Sequence, residues 1–203
     1  MSTELLLAWL LGYLLGSLPF GLVLMRLAGK GDVRDIGSGN IGATNVLRSG
    51  SKGLAAATLL LDMLKGTAAV LLARRLFGPG SEYFAATGAL IGHLYPLWLR
   101  FKGGKGVATL LGVLIPLLPV AAAVYALVWV GLLLAVRISS VAGIAAAVSA
   151  PLSAAVLGAD DMLAMLTGFA VLVVWKHRAN IARLRAGTEP AIGKRAARKN
   201  SGA

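Results

Sequence analysis

Residues 35–51 read "DIGSGNIGATNVLRSGS", and one hexapeptide inside them, GSGNIG at 37–42, fits the G-x-G-x-x-G fingerprint of dinucleotide-binding folds. An acidic residue, Asp62, stands 20 positions after Gly42, where such a fold keeps its ribose-binding carboxylate. A true match would make the chain a soluble α/β protein. The neighbours decide otherwise. The fingerprint needs an apolar strand directly before its glycines, and the preceding residues, KGDVRD at 30–35, are polar and charged. Asp62 lies in LLLDMLKG, inside a long apolar run. GGKGV at 103–107 fails likewise as a P-loop, with no Ser or Thr after its lysine.

The composition points to a membrane. The 203 residues are 58% hydrophobic, mean hydropathy is +0.81, and only 14% are charged, against about 25% in soluble domains. The length suits one domain: residues 1–193 are expected to form a single membrane-embedded domain, with 194–203 a short, basic, disordered tail. There are no cysteines and two histidines, His93 and His177, so thiolate catalysis and a Cys- or His-rich metal site are out of reach. No metal and no cofactor is expected. The net charge of +12 is what cytoplasmic span ends accumulate. It also suits anionic lipid or phosphorylated substrates. With no nucleic-acid reading motif, that class is set aside. The N-terminus lacks a basic n-region, carries Glu4 and has too long an apolar run for a signal peptide; it reads as a retained first span.

Apolar segments lie at 4–25, 53–73, 83–99, 106–136, 139–157 and 162–175. The fourth exceeds one crossing of about 20 residues and is interrupted by Pro116 and Pro119, so it reads as two short spans. Positive charge clusters after span 1 (Arg26 to Lys52), after span 3 (Arg100, Lys102, Lys105), after the long segment (Arg137) and beyond Lys176. Holding all of these inside requires an even number of crossings between them. The expected fold is therefore all-α, with seven transmembrane helices, the N-terminus outside and the C-terminus cytoplasmic. Glu4, Glu82, Asp160 and Asp161 fall outside. Arg74 and Arg75 break the pattern and are expected to snorkel. Span 6, SSVAGIAAAVSAPLSAAVLG at 139–158, is rich in small residues that let helices pack closely in lipid.

This topology puts three polar stretches on the cytoplasmic face: 35–51; GHLYPLWLRFKGGKGVAT at 92–109; and HRANIARLRAGTEP at 177–190. All exceed what a turn needs. Closely spaced glycines let backbone N–H groups approach an anion. In the first stretch these are Gly37, Gly39 and Gly42. Ser38, Asn40, Thr44 and Asn45 add neutral donors, and Arg48 adds a fork suited to phosphate oxygens. Lys102 and Lys105 amid Gly103, Gly104 and Gly106 repeat the recipe. His177, Arg178 and Asn180 offer a third set. The chemistry indicated is two phosphorylated partners, or one phosphate being moved. Asp62 and Lys65, three apart on one helix, share a face and are expected to pair and order the loops. An anion transporter would also combine glycines and cations, but near the bilayer midplane and often in inverted repeats; these stretches lie at one edge, and no repeat is visible.

The three stretches closely resemble the motifs of the PlsY family, bacterial integral-membrane acyltransferases, and the likeness runs from GSLPFG at 16–21 through Glu189. The resemblance implies seven helices with the N-terminus outside and an active site on the cytoplasmic face of the inner membrane. It implies transfer of a fatty acyl group from acyl phosphate to the sn-1 hydroxyl of glycerol 3-phosphate, giving lysophosphatidate and phosphate, without an acyl-enzyme. This is the first acylation of phospholipid synthesis. The implied partners are those substrates, membrane lipids and, functionally, the enzyme that makes acyl phosphate. Ser38, Arg48, His93 and Asn180 are implied as catalytic. The glycine-rich loops would cradle the acyl-phosphate head, and Arg48, Lys105, His177 and Asn180 would hold glycerol 3-phosphate. Glu189 is implied to fix the third stretch by pairing with a nearby arginine. The attacking proton goes to His93 or to substrate phosphate; the sequence leaves both open.

Overall fold

The computed structural model of the protein describes residues 2–192; the tail at 194–203 lies outside them. All regular structure among the described residues is helical. The helices are α1 (Thr3–Gly16), α2 (Phe20–Leu27), α3 (Ala43–Arg48), α4 (Lys52–Phe77), α5 (Ser81–Leu94), α6 (Val107–Leu117), α7 (Pro119–Val136), α8 (Ser139–Val156), α9 (Asp160–Lys176) and α10 (Arg178–Arg185). Single 3-10 turns lie at Val33–Asp35 and Leu97–Leu99. The chain divides into two compact units at Pro119.

Four stretches are long and apolar enough to cross a membrane: Thr3–Leu27, α4, α7 and α8. α9 and α10, bent by 57° where they meet, pass the same test only when taken together. α5 has 14 residues and α6 has 11, rising about 21 Å and about 16 Å against a hydrocarbon core of about 30 Å. The long segment is two helices, as expected: Leu118 leaves helical geometry, with φ −149°, and Pro119 opens α7.

The first apolar run is not one continuous helix. Pro19 supplies no N–H, so the ladder breaks between Gly16 and Phe20. The carbonyls released there find side-chain partners. Trp98 Nε1 donates to Ser17 O at 3.0 Å, and Lys65 Nζ donates to Leu18 O at 2.8 Å. The break is thus a junction to which two later elements are tied.

In the N-terminal unit, α4 touches α1, α2, α3, α5 and α6. α1 and α5 meet backbone to backbone. A Cβ added at Gly12 or Gly16 would collide with Ala85 or Ala89, and one at Gly88 or Gly92 with Trp9 or Tyr13. Small residues four apart on both helices allow this approach in lipid, where apolar burial gives little drive between helices. Glu82 is buried in the first turn of α5 at 6% exposure. Arg74 and Arg75 are exposed.

In the C-terminal unit, α8 packs on α9. Its buried positions are Ala142, Gly143, Ala146, Ala147, Ala150 and Ala154 with Ser140, against Leu166, Phe169, Ala170 and Val173 of α9. The small-residue stripe serves close packing, as expected.

Candidate active site

The first polar stretch is a loop folded around one amide. Asn45, 2% exposed, donates through Nδ2 to Val33 O (2.7 Å) and Ile36 O (3.0 Å). Its Oδ1 accepts from the Ser38 backbone N–H at 3.0 Å. Asn40 Oδ1 likewise accepts from the Gly42 N–H at 2.9 Å. Both asparagines therefore build the loop. Gly37 has φ 54°, and a Cβ there would collide with Asn45 Oδ1 and stand 2.9 Å from Arg48 Cδ and 3.5 Å from its Nη1. Only glycine fits that position. The same contacts show that Arg48, the last residue of α3, lays its guanidinium beside the backbone leading to Ser38. Both Ser38 and Arg48 are exposed. The loop enters through Asp32, whose side chain bonds Arg34 Nε (2.9 Å) and Nη2 (2.6 Å) and Arg26 Nη2 (2.8 Å). Bonding to Arg34 above all holds the Asp32 carboxyl far below the usual carboxylate range.

The second stretch is fastened to α1. Tyr13 Oη donates to Tyr95 O (2.9 Å) and accepts from the Leu97 N–H (3.1 Å). Leu99 packs with Ile36 and Leu47 on the cluster formed by Leu22, Met25, Val33, Ile41, Val46 and Ala55. One small core thus unites the first and second stretches. Beyond Phe101 the chain turns back. The Gly104 N–H donates to His93 O at 3.0 Å, and a Cβ on Gly104 would collide with His93 Nε2. The imidazole, 4% exposed, lies flush against the glycine backbone. Lys105 is partly buried and Lys102 exposed. Below them in α4, Lys65 Nζ sits 2.6 Å from Asp62 Oδ1, the expected pair. His93 Nδ1 lies 3.7 Å from that same oxygen.

The third stretch is built in the C-terminal unit around Glu189, whose side chain is 2% exposed. Its Oε1 accepts from Ser140 Oγ (2.8 Å) and Asn180 Nδ2 (2.5 Å), and its Oε2 from Arg183 Nε (2.7 Å). Burial pushes the Glu189 pKa up, but these three donors outweigh it and leave it below the ordinary value. The pairing with an arginine is as expected. Asn180 is 4% exposed and His177 3%. His177 Nδ1 lies 2.7 Å from Val173 O, which makes Nδ1 the protonated nitrogen. Arg178 turns aside. Its guanidinium stacks over the exposed Trp175 ring at 5.0 Å and Nη1 donates to Trp175 O at 3.3 Å.

Two glycine-rich loops, one with an arginine and one with lysines, thus lie on one shared core, an arrangement of backbone N–H groups and cations that suits an anion. The sequence profile described as "Glycerol-3-phosphate acyltransferase" matches residues 6–187. The chain belongs to the PlsY family of glycerol-3-phosphate acyltransferases. A glycerol-3-phosphate acyltransferase of Mesorhizobium japonicum is 57% identical over 193 residues, covering 95% of this chain and 98% of the relative. That of Agrobacterium fabrum is 54% identical, covering 93% and 92%. Crystal structures of PlsY (YgiH), an integral membrane glycerol 3-phosphate acyltransferase, match at 41% identity. The glycerol 3-phosphate form superimposes with a TM-score of 0.87 over 93% of this chain and 96% of that one, and the lysophosphatidic acid form with 0.85 over 93% and 95%.

As a PlsY-family protein the chain is a multi-pass membrane acyltransferase acting on glycerol 3-phosphate in phospholipid synthesis. Sequence reasoning offered Asn40 and Asn45 as donors to a ligand; in the structure Asn45 Nδ2 donates to Val33 O and Ile36 O, and Asn40 Oδ1 accepts from the Gly42 N–H. It missed Tyr13, Trp98 and Ser140, which fasten the second and third stretches. Their partners are far away in sequence, and no local pattern marks them.

Proposed function

We propose that the donor is acyl phosphate and that the acyl group passes directly to the sn-1 hydroxyl of glycerol 3-phosphate. The observation carrying this reading is the paired glycine-rich loops, each with its own cation, on one shared core. Acyl phosphate is a mixed anhydride with phosphate as leaving group, so no covalent intermediate is needed, which suits a chain without cysteine. The hydroxyl oxygen attacks the acyl carbonyl carbon, and the bond from that carbon to the phosphate oxygen breaks. The hydroxyl proton passes to His93 or to the departing phosphate. The protein's task is to align two anions that repel each other, a service worth up to about 7–11 kcal/mol when positioning is complete, and to stabilise the carbonyl oxygen with donors worth about 2.7–4 kcal/mol each.

Ser38 and the N–H groups of both loops would meet the phosphoryl and carbonyl oxygens. Arg48, Lys105, His177 and Asn180 would hold glycerol 3-phosphate. Asn40 and Asn45 act through the loop they shape. Residues 1–193 would serve as one membrane-embedded domain of the bacterial inner membrane, with the acyl chain in the inner leaflet and the loops facing the cytoplasm. The enzyme that makes acyl phosphate would work immediately upstream.

Purified protein in lipid should form lysophosphatidate from palmitoyl phosphate and not from palmitoyl-CoA, and Arg48→Ala should lower that rate by about 10²-fold or more. Equal use of the thioester would sink the donor assignment. The topology proposed is seven crossings, counting Thr3–Leu27, α4, α5, α6, α7, α8 and α9, with the N-terminus outside. Because the chain lacks cysteine, single cysteines can report it. In intact spheroplasts an impermeant maleimide should label Gly158→Cys and spare Ser49→Cys. The reverse pattern would invert the topology.

A further inference from the structure

The three ionisable groups Asp62, Lys65 and His93 are all at least 95% buried, and pairing alone does not account for their arrangement. Lys65 Nζ forms an ion pair with Asp62 Oδ1 at 2.6 Å and donates to the Leu18 carbonyl, next to Pro19, at 2.8 Å, and it lies over the Phe20 ring, 5.7 Å from its centroid. The ammonium thereby ties α4 to the break between α1 and α2. His93 Nδ1 lies 3.7 Å from the same carboxylate oxygen, within ion-pair range but beyond hydrogen-bond length. On the other side of the imidazole, Nε2 presses on Gly104, whose N–H is bonded to the His93 carbonyl. A line of contacts therefore runs from the Pro19 break through Lys65, Asp62 and His93 to the second glycine-rich loop.

We propose that Asp62 and Lys65 are positioning residues for acyl transfer: the ammonium fixes the carboxylate, the carboxylate fixes the His93 ring, and the ring sets the Gly103–Lys105 backbone that receives the acyl donor. This rests on the reading that the second loop cradles the donor. Removing one charge alone would leave the other buried and uncompensated, a general folding penalty, so the two must be removed together. The substitutions are Asp62→Asn with Lys65→Met, which keep size and drop both charges.

The test is a mutant cycle of that double variant against His93→Gln, in lipid. Acyl-transfer kinetics and thermal unfolding are measured for wild type, double variant, His93→Gln and triple variant. The double variant should melt near wild type, lose about tenfold or more in kcat/KM for the acyl donor, and keep its KM for glycerol 3-phosphate within about twofold. In the His93→Gln background it should cost nothing further, since contacting residues acting through one another are non-additive. Full activity in the double variant, or an equal loss in both backgrounds, would overturn the proposal. If the wild type prefers another donor, the cycle is run with that donor, so failure of the donor assignment is read separately.

A second measurement needs no variant in this triad. The chain has only two histidines, so ring nitrogen-15 shifts in the wild type can be assigned with a His177 variant. The proposal requires His93 Nδ1 to carry a proton towards Asp62. A bare Nδ1 would overturn it even if the double variant failed to fold.

Discussion

Gly104→Ala should eliminate acyl transfer by about 10²-fold or more. The added Cβ has nowhere to go. It would strike His93 Nε2 and stand 2.7 Å from Cε1 and 3.0 Å from Cδ2. The ring cannot yield, being 4% exposed with Asp62 at its other nitrogen. The loop must therefore move, carrying Gly103 and Lys105 with it, and a displacement of about 1 Å in a positioning element costs about 10²-fold in rate. The control is Gly53→Ala at the start of α4, where a Cβ meets nothing within 4 Å. That variant should keep its activity and gain slightly in stability, since alanine is the better helix former. Steady-state assays and melting curves of the two variants, side by side, separate a local steric effect from a general intolerance of side chains at glycine. Retained activity in Gly104→Ala would show that the second loop does not need its present path.

Glu189→Ala should unfold the third stretch. The carboxylate satisfies Ser140, Asn180 and Arg183 together. Without it, the buried Ser140 and Asn180 are each left with a donor unpaired, at about 1–3 kcal/mol apiece. Arg183 is 37% exposed and adds little, because water replaces its partner. Melting should shift down, and activity should fall with it as His177 and Asn180 lose their setting. The same carboxylate sets a pH dependence whose sign is fixed. Its folded pKa is lowered relative to the unfolded chain. Its stabilisation is therefore full above the unfolded value of about 4.3 and is lost as pH falls through the folded value. Wild type and Glu189→Gln should differ in melting temperature at neutral pH and converge on acidification. A difference that widened in acid would contradict the network.

The physical signals in the chain reach some of these features and not others. Hydropathy and the two prolines at 116 and 119 divide the long apolar segment correctly, because a missing N–H is a local fact. The Asp62–Lys65 pair was readable for the same reason, as i,i+3 spacing puts both on one face. His93 beside Asp62 was not readable, since it depends on how α5 docks on α4. The docking of α5 on α1, by contrast, follows partly from glycines at 12, 16, 88 and 92, a small-residue pattern present in the sequence but masked by the apolar residues around it. Pro19 was the least well used signal. Its effect on the first span followed from its chemistry, yet the run's hydropathy suggested a single helix. Asn45 shows a different ambiguity. Its amide is as able to bond its own loop as a ligand, and sequence alone favours neither.

The central claim is direct transfer from acyl phosphate to glycerol 3-phosphate. It is tested by following phosphate release from palmitoyl phosphate with glycerol 3-phosphate present and omitted. The account predicts release only when glycerol 3-phosphate is present, matched one for one by lysophosphatidate. A burst of one phosphate per enzyme without the acceptor would reveal an acyl-enzyme and contradict it, as would the absence of release when both substrates are supplied.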